Sequence, residues 1–231
     1  MITLALETAT DRCSVAIARD GNVIGRAEAA GIHQHASHLT LLIDRAREAA
    51  GIRFDDLDRL LLSDGPGSYT SLRVGAATAK GLLFALPGVT FTVVPTLAGL
   101  AVGCDPAGAD RILATLNSRR GEVYGQVFRA IDFHPESEVM NVRLTDPKWR
   151  GSLLNGSSLG RIAVCGPGQE RVRESLDTAD NAFRFTGPLV TSAVDLLQPS
   201  LERFYRTPDV AAYEPFYLNA PHVTQPKKRG L

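Results

Sequence analysis

The chain has 231 residues, and its 25 Lys and Arg balance 25 Asp and Glu, so the formal charge is zero. With 44% hydrophobic and 22% charged residues, it has a globular composition. It lacks both the polarity of a disordered chain and the basic excess of a main nucleic-acid-gripping surface. Its cysteines, Cys13, Cys104 and Cys165, are too scattered for a disulfide framework and form no CxxC pair.

The start MITLALETATDRCSVAI has no basic leader, and no run of about 18 apolar residues occurs. A cytoplasmic protein without a membrane-spanning helix is expected. Residues 2–6 form an apolar run ending at Glu7, which reads as a buried strand. Residues 12–19 read as a second strand. Asp20-Gly21 marks a tight hairpin because a type I′ turn needs positive φ at both central residues, and residues 22–29 return antiparallel. The period then changes. Leu39, Leu42, Ile43, Ala46 and Ala50 fall on one face of a helix over 36–50, with Gly51 as its stop.

Leu60, Leu61 and Leu62 form a buried strand, GPGS at 65–68 a tight turn, and residues 71–86 a second helix carrying Leu72, Ala76, Ala79, Leu83 and Leu86 in phase. Residues 89–94 are a strand that Pro95 ends. The order β-β-β-α-β-α-β implies a mixed sheet with helical crossovers. The rest partly echoes it: strands at 111–117 and 122–131 around a polar turn, a strand at 161–165, a helix near 169–178 and a last helix at about 191–205. LAL-ET at 4–8 and ATL-NS at 114–118 are a weak internal match. The PKKRG tail at 226–230 reads as a solubilising tail.

GPGSYTSLRVGAATAKGLLF at 65–84 is the most unusual stretch. A strand-to-helix turn accounts for its spacing. The alternative is an anion cradle of backbone N–H groups, with Lys80 adding charge. It is not a Walker A loop. Gly75, Ala76, Ala77, Ala79 and Gly81 allow close helix approach, to this chain's own core or to a second subunit. His33, His35 and His38 lack further convergent ligands and read as a solvated helix start. Glu7 is a possible metal or water-positioning carboxylate, but Thr8-Ala9-Thr10 follows it where a phosphate-binding turn needs glycine. NSRRGEVY at 117–124 reads as a charged turn, or as an Arg pair for an anion or a partner carboxylate. GxSxG and GxGxxG are absent.

Together these segments resemble the TsaB (YeaZ) family. LALETATDRCSVAIARDG, HASHLTLLIDRAREAAG, GPGSYTSLRVGAATAKGL, NSRRGEVY and YEPFYLNAP match its motifs in order from Leu4 to Pro221. Glu7, Asn117 and Ser71 stand where the commoner pattern has Asp, Asp and Gly. The resemblance implies an α/β, actin-like (ribonuclease-H-like) fold with two halves, 1–103 and 104–231, each a mixed sheet flanked by helices.

It also implies a non-catalytic subunit of the assembly that makes N6-threonylcarbamoyladenosine at position 37 of tRNAs reading codons that begin with A. Such a subunit would pair with the transferase TsaD, be joined by the ATPase TsaE, and form a homodimer when alone. It would meet tRNA only through the complex. ATP and metal would belong to the partners, since Thr96 and Leu100 stand where TsaD carries metal-binding histidines and neither can ligate as imidazole does. The implied partner interface is His35, Leu39, Leu42, Ile43, Ala46, Leu72, Gly75, Ala76, Ala79 and Leu83, with the outward side of each helix left open. The implied signature loops are Gly65, Pro66, Gly67, Ser68, Tyr69, Thr70, Arg73, Arg119, Arg120, Glu122 and Tyr124. The rival readings are a metallopeptidase-like activity and a small-molecule kinase activity of the same fold.

Overall fold

The computed structural model describes residues 1–30, 35–154, 160–176 and 181–219. The expected meander opens the chain: β1 (Ile2–Glu7), β2 (Arg12–Arg19) and β3 (Asn22–Ala30) pair antiparallel. Asp20 (φ 50°) and Gly21 (φ 81°) both take the left-handed backbone that the hairpin requires. Helix α1 (His35–Ala50) leads to β4 (Arg59–Ser63), and α2 (Tyr69–Ala85) leads to β5 (Thr90–Val94). Both strands lie parallel to β1, in the order β3-β2-β1-β4-β5.

The plan then recurs. β6 (Arg111–Asn117), β7 (Glu122–Arg129) and β8 (Met140–Arg143) form a second meander. The chain continues through α4 (Trp149–Leu154), β9 (Ile162–Cys165), α5 (Gln169–Glu174) and β10 (Phe183–Phe185). The second sheet has the order β10-β9-β6-β7-β8, with β9 parallel to β6 and β10 parallel to β9. Read from its β8 edge, it has the order and strand senses of the first sheet. The short match between 4–8 and 114–118 therefore marks the two central strands, β1 and β6.

Strand alternation divides each sheet into two faces. Leu4, Leu6, Val15, Leu60 and Leu62 point toward α1 and α2. Ala5, Ala16 and Leu61 point toward the second sheet, which answers with Ile112, Ala114, Phe128 and Ala163. Between the two sheets lies α3 (Thr96–Val102), with residues 96–101 all buried. Trp149, Leu153 and Val172 cover the far side of the second sheet. Burying Leu97 and Leu100 of α3 is worth about 1.5–3 kcal/mol each.

Several elements differ from the sequence expectation, which also lacked β8, α4 and β10. Helix α3 follows Pro95, which ends β5 and also occupies the N-cap position. The helix expected at 191–205 is instead two 3-10 turns, Asp195–Leu197 and Pro199–Phe204. Pro199 lacks an N–H and forces the residue before it, Gln198, to be extended (ψ 132°). Helix α5 stops at Glu174 and β7 at Arg129, short of 178 and 131. The basic tail at 226–230 lies outside the described residues. No helix among the described residues is long and apolar enough to cross a membrane.

The apolar stripes of α1 and α2 face inward. Leu39, Leu42, Ile43, Ala46, Ala76, Ala79 and Leu83 fill this chain's own core, and Leu72 and Gly75 are buried too. These nine residues are therefore not available as an exposed interface in the isolated chain, because the first sheet has already taken that side of both helices. The side chain of His35 lies outside the described residues. The outward side of the helices carries Leu41 (54% exposed) and Phe84 (92% exposed). Gly75 shows how close the inward contact is. A methyl there would sit 2.3 Å from Thr8 Oγ1 and 3.2 Å from Leu62 Cδ1. Gly75→Ala is thus expected to lower the unfolding free energy by about 1–3 kcal/mol in urea denaturation, despite its better helix propensity.

Candidate functional site: the cleft between the sheets

Strands β1 and β6 end at a common cleft of about 750 Å³. The turn after β1, the 65–70 turn, the 117–120 turn, Pro167 and the arm at 216–219 line it. Of the signature residues, Pro66, Gly67, Ser68, Tyr69, Thr70, Arg119, Arg120, Glu122 and Tyr124 converge there, although some fifty residues separate the two groups. Gly65 and Arg73 lie outside the wall. Gly65 turns the chain at φ 114° with its carbonyl accepting from Thr96 N (2.9 Å) and its N–H donating to Thr96 Oγ1 (3.1 Å). Arg73 lies over the Tyr69 ring at 5.6 Å.

The turn after β1 takes up its Ala9 peptide groups internally, while the buried Thr8 Oγ1 has no hydrogen-bond partner among the described residues. Glu7 is buried and accepts the Ala9 N–H at 2.6 Å, while the Ala9 carbonyl accepts from Ser68 N at 2.7 Å. A methyl at Gly67 would lie 2.3 Å from that carbonyl, so the two turns are pressed together. Ser68 Oγ caps α2, accepting from Ser71 N (3.5 Å) and Ser71 Oγ (3.0 Å). Lys80 does not reach the turn; its Nζ donates to Ala211 O at 3.0 Å.

On the opposite wall, Arg171 of α5 donates to the carbonyls of Ser118 and Glu122, both at 2.7 Å, and fixes the turn in which Arg120 has φ 54°. The Glu122 carboxylate accepts from Asn141 Nδ2 (2.6 Å) and Arg143 (3.1 Å). Asn117 Nδ2 donates to Pro167 O at 3.0 Å. The wall thus presents a guanidinium-rich rim beside Tyr124.

The third wall is the C-terminal arm, anchored by a carboxylate that sequence reasoning overlooked. Asp64, buried after β4, accepts the Arg206 guanidinium and the Tyr213 hydroxyl (3.0 Å), and its carbonyl accepts from Phe216 N (2.8 Å). Burial pushes the Asp64 carboxyl up, and the Arg206 charge with the Tyr213 hydrogen bond pulls it back. Tyr213 packs edge-on against Phe91 at 4.9 Å, and Tyr217 lies 4.7 Å from Tyr69. The described part of the YEPFYLNAP motif, residues 213–219, is therefore a strap laid on the first sheet, and Asn219 Nδ2 reaches Tyr124 Oη at 3.3 Å. An acidic residue just past the apolar run Leu60–Leu62 was the available sign for Asp64; Arg171 had none.

Among the described residues, no group of three or more His, Cys, Asp or Glu is placed to hold a metal ion. Glu7 is sealed from the cleft. Burial, followed by the Asp195 charge, raises its carboxyl from 4.5 to about 7 against the pull of the Ala9 N–H. The folded protein therefore holds this proton more tightly than the unfolded chain, so stability falls as pH climbs from about 4.5 to about 7 and stays lowered above that. Glu7→Gln keeps an acceptor for Ala9. It is expected to be more stable than the parent by up to about 3 kcal/mol at pH 8, with the difference shrinking toward pH 4.5 in urea titrations.

Comparison with known proteins matches this arrangement. A family model described as TsaD, tRNA N6-adenosine threonylcarbamoyltransferase, matches residues 26–134. The tRNA threonylcarbamoyladenosine biosynthesis protein TsaB of Haemophilus influenzae is 34% identical over 170 residues, covering 70% of this chain and 71% of that protein. The Escherichia coli protein of the same name is 34% identical over 126 residues, and the match spans 54% of this chain and only about half (53%) of that relative's length. YeaZ from Pseudomonas aeruginosa superposes with a TM-score of 0.75 over 94% of this chain and 99% of its own, at 24% identity. The fold is accordingly the actin-like one, two mixed five-stranded sheets flanked by helices. With a relative of that identity matched over more than two thirds of both chains, and with the motifs of 65–70 and 117–124 gathered at one cleft, the chain belongs to the TsaB (YeaZ) family.

Proposed function

We propose that this chain serves the synthesis of N6-threonylcarbamoyladenosine at position 37 of tRNAs reading codons that begin with A. In this reading it supports the transferase TsaD, TsaE joins the pair, and the threonylcarbamoyl transfer itself belongs to TsaD. Membership in the TsaB family carries the proposal. Three features support the division of labour. Thr96 is committed to Gly65 and Leu100 to the core between the sheets, where the transferase pattern has histidines. The Ala9 N–H, which an actin-like phosphate site would turn toward a nucleotide, is spent on Glu7. The zero net charge leaves tRNA binding to the assembled complex.

The test is reconstitution. The purified chain alone is expected to leave tRNA unmodified, and adding TsaD, TsaE and the threonylcarbamoyl-adenylate synthase is expected to restore modification. Transfer by this chain alone would overturn the reading.

The partner surface we assign is the outward side of α1 and α2, centred on Leu41 and Phe84, with a second copy of the chain as occupant when TsaD is absent. An exposed Phe at 92% and a Leu at 54% are apolar area that the monomer leaves in water. Phe84→Glu, which touches no core contact, is expected to weaken pairing with TsaD at least about tenfold by calorimetry while leaving the melting curve unchanged. Ala76→Arg would not serve as this test, because Ala76 is buried in the chain's own core.

A further inference from the structure

We propose that Cys104 and Cys165 are a reversible redox pair, which a peroxide joins into an intramolecular disulfide tying the end of α3 to the end of β9. The cleft does not use either thiol, and both are free. They converge from different elements. Cys165 is the last residue of β9, and Cys104 follows α3 directly after its Gly103 cap. In a continuing helix the Leu100 carbonyl would accept from Cys104 N. Instead Cys104 N turns to Ala101 O (3.2 Å), and the Leu100 carbonyl accepts the Cys165 thiol at 3.5 Å. The Cys165 sulfur thus sits in the last turn of α3, beside Cys104.

Gly187 shows the same convergence from a third side. A methyl on it would lie 1.8 Å from Cys165 Cβ and 3.2 Å from Cys104 Sγ, so both cysteines crowd one point beneath Gly187. Cys13 lies on the far face of the first sheet, in the core under α1 and α2, and takes no part.

The two sulfurs are not equivalent. Contact with Cys165 holds Cys104 below the usual thiol range, and the same contact with full burial pushes Cys165 well above it. Cys104 keeps 5% exposure and Cys165 none, so an oxidant meets Cys104 first. The Cys104 thiolate attacks one peroxide oxygen and the O–O bond breaks, leaving a sulfenic acid and hydroxide. The Cys165 sulfur then attacks the Cys104 sulfur and expels the sulfenic oxygen as water. Overall, two thiols and one hydrogen peroxide give one disulfide and two waters, the sulfurs losing the two electrons that the peroxide gains. The bond would join β9, just before the Pro167 turn of the cleft, to the helix that holds the 65–70 turn through Thr96. Oxidation would therefore fasten two walls of the cleft to each other.

The test treats the full chain with hydrogen peroxide, alkylates the remaining thiols, and maps peptides without reduction. A Cys104–Cys165 linked peptide is expected, lost on reduction with dithiothreitol, with Cys13 alkylated and the same link formed in Cys13→Ser. In Cys165→Ser, the stranded Cys104 sulfenic acid is expected to be trapped by dimedone. Links that involve Cys13, only intermolecular links, Cys104 over-oxidised without a link, or three alkylatable thiols after treatment would each overturn the proposal. The unsubstituted chain decides the matter even if Cys165→Ser fails to fold.

Discussion

The constraint on which the rest depends is the burial of α3 between two sheets. A helix of seven residues with sheet on both sides has no solvent-facing stripe, so its sequence, TLAGLAV, carries no charge. It needs small partners to fit, and Ala5, Ala16, Ala114 and Ala163 supply them from the inner faces. A methyl at Gly99 would lie 3.2 Å from Leu196 Cδ2, so even the glycine of the helix is a packing position. Its ends are where polar groups collect: Thr96 receives the 65–70 turn, and the Leu100 carbonyl receives Cys165.

The two copies of the sheet motif share strand order but differ in their outer cover. The first sheet is covered by α1 and α2, of 16 and 17 residues, and the second by α4 and α5, of 6 residues each. Long helices present a continuous outward surface, and short ones do not. This asymmetry is the physical reason to look for a protein partner on the first sheet's side. The C-terminal arm adds to the same side. It bridges to Val93 at Arg206, is tied to Asp64, and touches Tyr124 of the second sheet through Asn219. A buried carboxylate left without the arm would keep its desolvation cost and lose its partners, so arm and turn are energetically one unit.

Much of this was legible in the residues. The apolar runs of 2–6 and 12–19, the Asp20-Gly21 turn and the 3.6-residue period of 36–50 and 71–86 specified the first sheet and its helices, because each is a local signal. The signature stretches at 65–70 and 117–124 stood out by composition, but nothing local said that they face one cleft. The stripes on α1 and α2 looked equally fit for a partner or for the core. Helix α3 was invisible because a fully buried helix of seven residues shows no periodicity, and 191–205 misled because its apolar spacing continues through Pro199.

The sequence by itself determined the β-β-β-α-β-α-β order of the first sheet and its covering helices, the weak internal match and the family resemblance, since these rest on patterns contained within short segments. Only the tertiary structure decided which side of α1 and α2 faces water, that Glu7 is sealed away from the cleft, that Asp64 holds the C-terminal arm, and that Cys104 and Cys165 meet. Each of these depends on contacts between residues far apart in the chain, where the burial and the partner of a side chain are fixed by packing and leave no periodic trace in the sequence.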